Sequence, residues 1–217
     1  MTVEFSLWAL LQSLADGAKW TVALSALAFL FGGATGLLIL FARMSRSRLL
    51  RQATRVYIEV FQGTPLLMQL FLIFFGLSLA GLEVSPWLAA AVGLTLFSSA
   101  YLAEIWRGCV EAVPRGQWEA SSSLAMSYLE QMRHVILPQA LRLAIAPTVG
   151  FSVQVIKGTA VASIIGFIEL TKTGSMLANA TFQPFLIYGL VAASYFLLCY
   201  PLSLYAQYLE RKLHVSR

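Results

Sequence analysis

Residues 20–42 read WTVALSALAFLFGGATGLLILFA, running from Trp20 to Ala42 without one Asp, Glu, Lys or Arg. A helix of that length rises about 35 Å, enough to cross the roughly 30 Å hydrocarbon layer of a bilayer. Four more apolar stretches of comparable length follow it. They cover residues 57–80, interrupted by Gly63-Thr64-Pro65, then 87–105, then 143–165, which holds Lys157, and finally 185–208. With 59% hydrophobic and 12% charged residues and a mean hydropathy of +0.75, the 217-residue chain carries more apolar surface than one soluble domain buries. The expected fold is an all-α membrane protein with five transmembrane helices.

Ahead of the first span, Met1-Thr2-Val3-Glu4 has no basic residue and no cleavable signal is expected. Phe5, Trp8, Leu11 and Leu14 recur at helical spacing opposite Gln12, Ser13 and Asp16. Residues 1–19 are expected as an N-terminal interfacial helix, the alternative being a frayed extension of the first span. Residues 20–217 then form a single transmembrane domain.

The net charge of +5 is distributed as a topology signal. Arg43, Arg46, Arg48, Arg51 and Arg55 follow span one. Arg107, Arg115, Arg133 and Arg142 follow span three, and Arg211, Lys212 and Arg217 end the chain, whereas residues 81–86 between spans two and three hold no Lys or Arg. Because basic residues collect in cytoplasmic loops, the N-terminus is expected outside and the C-terminus in the cytoplasm. The basic loops lack the interleaved aromatics of a nucleic-acid surface, so no nucleic-acid partner is expected. Cys109 and Cys199 share no metal-ligand spacing, and neither a disulfide nor a metal is expected.

Between spans three and four, residues 114–141 read PRGQWEASSSLAMSYLEQMRHVILPQAL, too polar to cross a membrane and too patterned for a plain loop. Trp118, Leu124, Leu129, Met132, Val135 and Ile136 form apolar stripes on two short helical pieces. Ser127 and Glu130 fit a capping box that starts the second piece, and Pro138 is expected to end it. A helix pair held between two spans can carry force from a soluble partner; a solvated amphipathic connector is the plainer alternative.

Gln117-Trp118-Glu119-Ala120, Ala125 and Ile136-Leu137-Pro138-Gln139-Ala140 resemble the Glu-Ala-Ala loop of binding-protein-dependent ABC import permeases. Phe61 to Leu67, Ala100 to Gly108 and Leu209-Glu210-Arg211-Lys212 are similar to the polar amino-acid branch of that family, which carries histidine, glutamine, glutamate, arginine and opines. The resemblance runs from about Trp20 to the C-terminus. It implies a type I importer permease in a bacterial inner membrane, multi-pass and in contact with lipid, that is not itself an enzyme. Two copies of an ATP-binding subunit would carry ATP and Mg, an extracytoplasmic amino-acid-binding protein would deliver substrate, and a second permease would complete the pore. This chain would bind no cofactor, in keeping with the lack of a GxxxxGK[ST] sequence. The resemblance assigns coupling to the ATPase to Gly116, Gln117, Trp118, Glu119, Ala120, Ser121, Leu124, Ala125, Met126 and Ser127, with Leu137 and Pro138. An ion-coupled secondary transporter is the alternative; it would pair intramembrane carboxylates with inverted repeats, and the sequence has no internal repeat.

Two positions of the loop depart from the family pattern, Ser121 standing for a second Ala and Ala125 for Gly. The left-handed conformation that glycine adopts at a helix end costs an alanine roughly 1 kcal/mol. Within the spans, Phe97 stands where Asn is usual, Gly150-Phe151 where Asn and a polar residue are, and Lys157-Gly158-Thr159 where Lys-Asp-Thr is. If these positions face a substrate site, either the substrate is less polar or the chain belongs to a heterodimeric pore whose partner supplies the polar contacts; the heterodimer is favoured over a homodimer. Candidates for the substrate pathway are Thr64, Gln69, Phe97, Ser98, Tyr101, Glu104, Phe151, Gly158 and Thr159. Glu104 has a second reading as the partner of Arg107, three residues on, and Gly63-Thr64-Pro65 is either a break in span two or a packing kink. Glu59, Glu169 and Lys172 are further ionisable residues at membrane depth.

Overall fold

A computed structural model describes residues 6–45 and 47–213. Phe5, Arg46, His214 and Arg217, with the rest of residues 1–5 and 214–217, lie outside the described residues. All regular structure among the described residues is helical.

Helix α1 spans Leu7–Arg43, opened by Ser6, whose hydroxyl accepts from the Ala9 N–H at 3.2 Å. It runs straight through position 19, so residues 7–19 and the apolar stretch after them form one continuous helix. The reason is packing: Leu10 and Leu14 are buried in one cluster with Leu170, Leu177 and Ile187. Gly17, which could have marked a break, instead permits close approach, since a Cβ there would meet Thr173 Oγ1 at 2.7 Å.

Helix α2, Arg48–Gly63, and α3, Leu66–Leu79, meet at 107°, so Gly63-Thr64-Pro65 is a break and not a mild kink. A π-turn at Leu72–Gly76 interrupts α3. Helix α4, Pro86–Glu111, starts with proline at its first position behind a Ser85 cap. It makes its largest contact with α1. Gly32 and Gly36 of α1 lie on the backbone of α4, and a Cβ on Gly32 would fall 2.6 Å from that of Ser98. Small residues of this kind let membrane helices approach closely.

Helix α5, Arg115–Ser123, leads into α6, Tyr128–Ser163, which is continuous through Pro138. The expected helix end there is corrected by a π-turn at Met132–Ile136, where the Leu137 N–H reaches back to the Met132 carbonyl. The ladder is already shifted, so the missing N–H and the ring of Pro138 fall where they cost little. The chain then forms α7, Leu170–Thr181, too short to cross a bilayer, and α8, Pro184–Leu213. Among the described residues, four helices are long and apolar enough to cross, five with α2–α3 taken as one bent span, which agrees with the expected number.

The two ends of the bundle differ. At one, Trp20 packs edge to face on Trp87, centred 5.7 Å away, and on Phe167, while Trp87 and Phe167 meet at a tilt. At the other, the end of α1 at Met44, the end of α4 at Val110 and Val113, and the start of α6 share a cluster with Trp118. Glu210 and Leu213 near the end of α8 border a cavity with Ala112 and Arg142 at that same end. Cys109 and Cys199 are both free thiols.

Candidate functional site

The loop end is organised around α5. Val113, Met132, Ile136 and Ala140 are buried, and Trp118 lies against them while its ring stacks on Tyr128 at 6.4 Å. Gln139 Nε2 donates to Gln117 Oε1 at 3.2 Å and to the Val135 carbonyl at 2.8 Å, tying α5 to α6. Ser127 caps α6: its N–H and hydroxyl both donate to Glu130 Oε2, at 2.8 and 2.7 Å. The expected pairing of these two residues is therefore formed. Gln131 Nε2 adds a bond to the Met126 carbonyl at 2.9 Å. Leu137 is half-buried on the cluster, and Pro138 is exposed.

The outer side of α5 is free. Gly116, Glu119, Ala120 and Leu124 are exposed, Leu124 by 77%, and Leu129 beside them by 75%. Leu124 and Leu129 are thus exposed apolar side chains beside a helix anchored from behind. The two departures from the family pattern both find a local account. Ser121 is buried, and its hydroxyl donates to the Trp118 carbonyl at 3.0 Å, so it fits in place of alanine without an unpaired group. Ala125 takes φ 55°, the left-handed conformation expected to strain it. The N–H of Ala125 bonds the Ser122 carbonyl and that of Met126 the Ser121 carbonyl, a Schellman ending built on an alanine.

At the bend, Thr64 Oγ1 donates to the Val60 carbonyl at 2.7 Å. Gln69 Nε2 donates to the Phe61 carbonyl, the Thr64 carbonyl and Thr64 Oγ1, at 2.9, 3.1 and 2.9 Å. A broken span frees backbone carbonyls, and Gln69, 6% exposed, satisfies them. Both pathway candidates of this segment thus hold the bend in shape.

The remaining candidates are spread over several surroundings. Phe97, Tyr101 and Phe151 form a ring stack between α4 and α6, with Phe97 and Tyr101 centred 4.5 Å apart and Tyr101 and Phe151 5.5 Å apart. Gly158 packs against Leu66 and Leu94. Ser98 is fully buried with its hydroxyl unpaired, and the Thr159 hydroxyl donates to the Ile156 carbonyl at 2.7 Å. Glu104 pairs with Arg107, whose Nε donates at 2.9 Å, while Arg107 also reaches Glu111. The same Glu104 borders a cavity of 610 Å³ with Arg142, Gln207 and Glu210. The ion pair is therefore formed without removing Glu104 from an open space.

Glu169 is fully buried and caps α7. Its carboxylate accepts from the N–H groups of Thr171 and Lys172 at 2.9 and 2.8 Å and from the hydroxyls of Thr21 and Tyr195 at 3.2 and 2.8 Å. Sequence reasoning flagged the charge but missed both the helix and the cap. The signal was an acidic residue just ahead of Leu170, an N-cap position. It also passed over Arg55, whose Nε donates to Glu59 Oε1 at 2.7 Å.

Comparison with known proteins follows the same lines. The family described as "Binding-protein-dependent transport system inner membrane component" matches residues 28–215. The chain is 37% identical over 196 residues to a probable amino-acid ABC transporter permease, YckA of Bacillus subtilis, covering 90% of this chain and 87% of that one. It is 35% identical over 212 residues to the Escherichia coli glutamine transport system permease GlnP, covering 97% of each. The L-cystine transport system permease TcyB of Bacillus subtilis is likewise 35% identical, over 97% of this chain and 89% of its own. A crystal structure of an amino acid ABC transporter with histidines superposes with a TM-score of 0.92 at 36% identity, covering 98% of this chain and 100% of that one. The ion-coupled alternative has no counterpart among these relatives. The chain belongs to the family of binding-protein-dependent transport system inner membrane components.

Proposed function

We propose that this chain is the permease subunit of an ATP-driven importer of amino acids, coupled to its ATPase through α5. Membership of the family makes it a multi-pass inner-membrane transport subunit and not the ATPase. The amino-acid cargo is supported by relatives named for glutamine, cystine and amino-acid transport. The observation that carries the coupling role is the anchored α5, fixed by Trp118 and Gln117 on its inner side and presenting Ala120, Leu124 and Leu129 outward.

The loop end is cytoplasmic in this reading, since the described basic residues of the connections gather there, with the N-terminal end of α1 on the opposite side. Two ATPase subunits, carrying ATP and Mg, dock on the α5 helices of two permeases, and an extracytoplasmic binding protein delivers cargo at the Trp20–Trp87 end. Closure of the ATPase pair shifts the population between outward and inward states. The stack of Phe97, Tyr101 and Phe151 supports a heterodimer, because rings occupy the place where a polar side-chain contact would sit and a different second permease would supply it. The test is purification of the tagged chain from its native host, mass identification of every subunit, and uptake of radiolabelled amino acids into vesicles holding that complex. ATP-dependent uptake together with a second, different permease is expected. A complex without an ATPase would refute the coupling, and two copies of this chain alone would refute the heterodimer.

A further inference from the structure

A groove opens at the loop end between α1 and α6, with α4 as its floor. Its volume is 540 Å³, and its walls include Leu37 and Phe41 of α1 and Leu137, Leu141 and Ile145 of α6. One side is open, since Phe41 is 59% and Leu141 65% exposed. Trp106 and Val110 on the floor lie about 200° around α4 from Glu104 and Gly108, so the groove is on the far side of α4 from the charged cavity that Glu104 borders. No charged residue lines it, and its two polar side chains bond each other, Trp106 Nε1 donating to Thr148 Oγ1 at 2.9 Å. Water needs several polar partners to stay in such a space, and a charged solute needs more, so neither is held here. From Leu137 to Val149 the groove runs about 18 Å along α6, close to half of the roughly 30 Å hydrocarbon layer and so to the depth of one leaflet.

A charge waits at the loop end of this groove. Arg133 stands four residues before Leu137 on α6, and the wide π-turn at Met132–Ile136 brings residues four apart nearly into line, one turn from each other. Arg133 is exposed and in no ion pair among the described residues. Glu130, the acid nearest to it along the chain, is held by the N–H and hydroxyl of Ser127. The facing wall brings no competing charge, because residues 20–42 of α1 have none. A guanidinium at the mouth of an apolar groove one leaflet deep matches a ligand with a hydrocarbon tail and an anionic head, and basic groups between spans recognise lipid headgroups in this way.

The geometry points to a binding site for one anionic phospholipid, with an acyl chain in the groove over Trp106 and the phosphate on the Arg133 guanidinium. The tail touches α1 and α6 at once, so the lipid joins the first span to the helix that continues from the loop. The headgroup decides which lipid is kept: a head with no positive charge of its own leaves its phosphate free for Arg133, whereas a zwitterionic head brings a cation to the same place.

Trp106 reports the occupant. The permease complex in detergent is titrated with phosphatidylglycerol, and separately with phosphatidylcholine, brominated on the acyl chains, and the fluorescence quenching that Trp106→Phe removes is the signal. Native mass spectrometry of the same complex counts the retained lipid, so the site is read even where Trp106→Phe does not fold. Quenching that saturates at one phosphatidylglycerol per copy of this chain is expected, with phosphatidylcholine bound more weakly. Arg133→Gln should weaken phosphatidylglycerol about five-fold, the effect of one basic group on an anionic headgroup, and remove the preference, while Arg133→Lys retains most of it. Quenching that rises without saturation shows only general contact with lipid and overturns the site. Absence of quenching, with the groove covered by another protein chain, overturns it too. Equal binding of the two lipids by the wild type, or a preference that survives Arg133→Gln, overturns the role of Arg133 and with it the anionic lipid.

Discussion

Replacing Ala125 with glycine should stabilise the turn between α5 and α6. Ala125 sits at φ 55°, where the Cβ of an L-residue crowds the following carbonyl at roughly 1 kcal/mol, and glycine avoids that contact. Two hydrogen bonds depend on the conformation, Ala125 N–H to the Ser122 carbonyl at 3.0 Å and Met126 N–H to the Ser121 carbonyl at 3.3 Å. These bonds close α5, and they open when the turn leaves the left-handed region. Relief of about 1 kcal/mol should slow their opening roughly five-fold, since 1.4 kcal/mol is a factor of ten. Amide hydrogen exchange of the detergent-solubilised chain, resolved at residues 125 and 126, reads this directly, with the amides of α4 as an internal control. Ala125→Val should shift exchange the other way, a branched side chain being less tolerant of positive φ. Exchange at these amides that is unchanged or faster in Ala125→Gly would show that the turn is not strained and that the departure from glycine costs nothing.

Gln69→Leu removes the donor that holds three acceptors at the α2–α3 bend. It should destabilise the fold by about 2 kcal/mol, as part-buried carbonyls lose their partner. Thermal unfolding in detergent checks it, and a midpoint equal to wild type would mean that water replaces the side chain. Glu169→Ala strips the cap of α7 together with the acceptor of Thr21 and Tyr195. A loss of about 3 kcal/mol is expected. Limited proteolysis after residue 170 should rise in step, and resistance equal to wild type would refute the cap's importance.

The parts of this fold that sequence reveals are those governed by local rules. Uninterrupted apolar length marks α1, α4 and α8, and the spacing of Ser127 and Glu130 marks the start of α6. Gly63-Thr64-Pro65 announces an interruption, but only its surroundings decide between a kink and a 107° turn. The rest depends on partners distant in sequence. The 12-residue α7 is too short to register as a span and too apolar to register as a loop; its start is set by Glu169 meeting Thr21, 148 positions away. Pro138 looks like a stop because the π-turn that accommodates it has no recognisable pattern of its own. At the candidate site, α5, its turn and the cap after it are legible because they are local. Arg55 was counted with the basic loop, since nothing near it in sequence shows that it lies inside α2 and pairs with Glu59.

The continuity of α6 from Tyr128 to Ser163 makes it a lever about 54 Å long. One arm begins within a few residues of the surface offered to the ATPase, and the other ends beside Gly166 and Phe167 under the tryptophans of the far face. A tilt of only about 5° around its midpoint would swing each tip by about 2.4 Å in opposite directions. Work done at one face of the membrane can thus reach the other along a single backbone, with the π-turn at Met132–Ile136 as the place where that arm can flex.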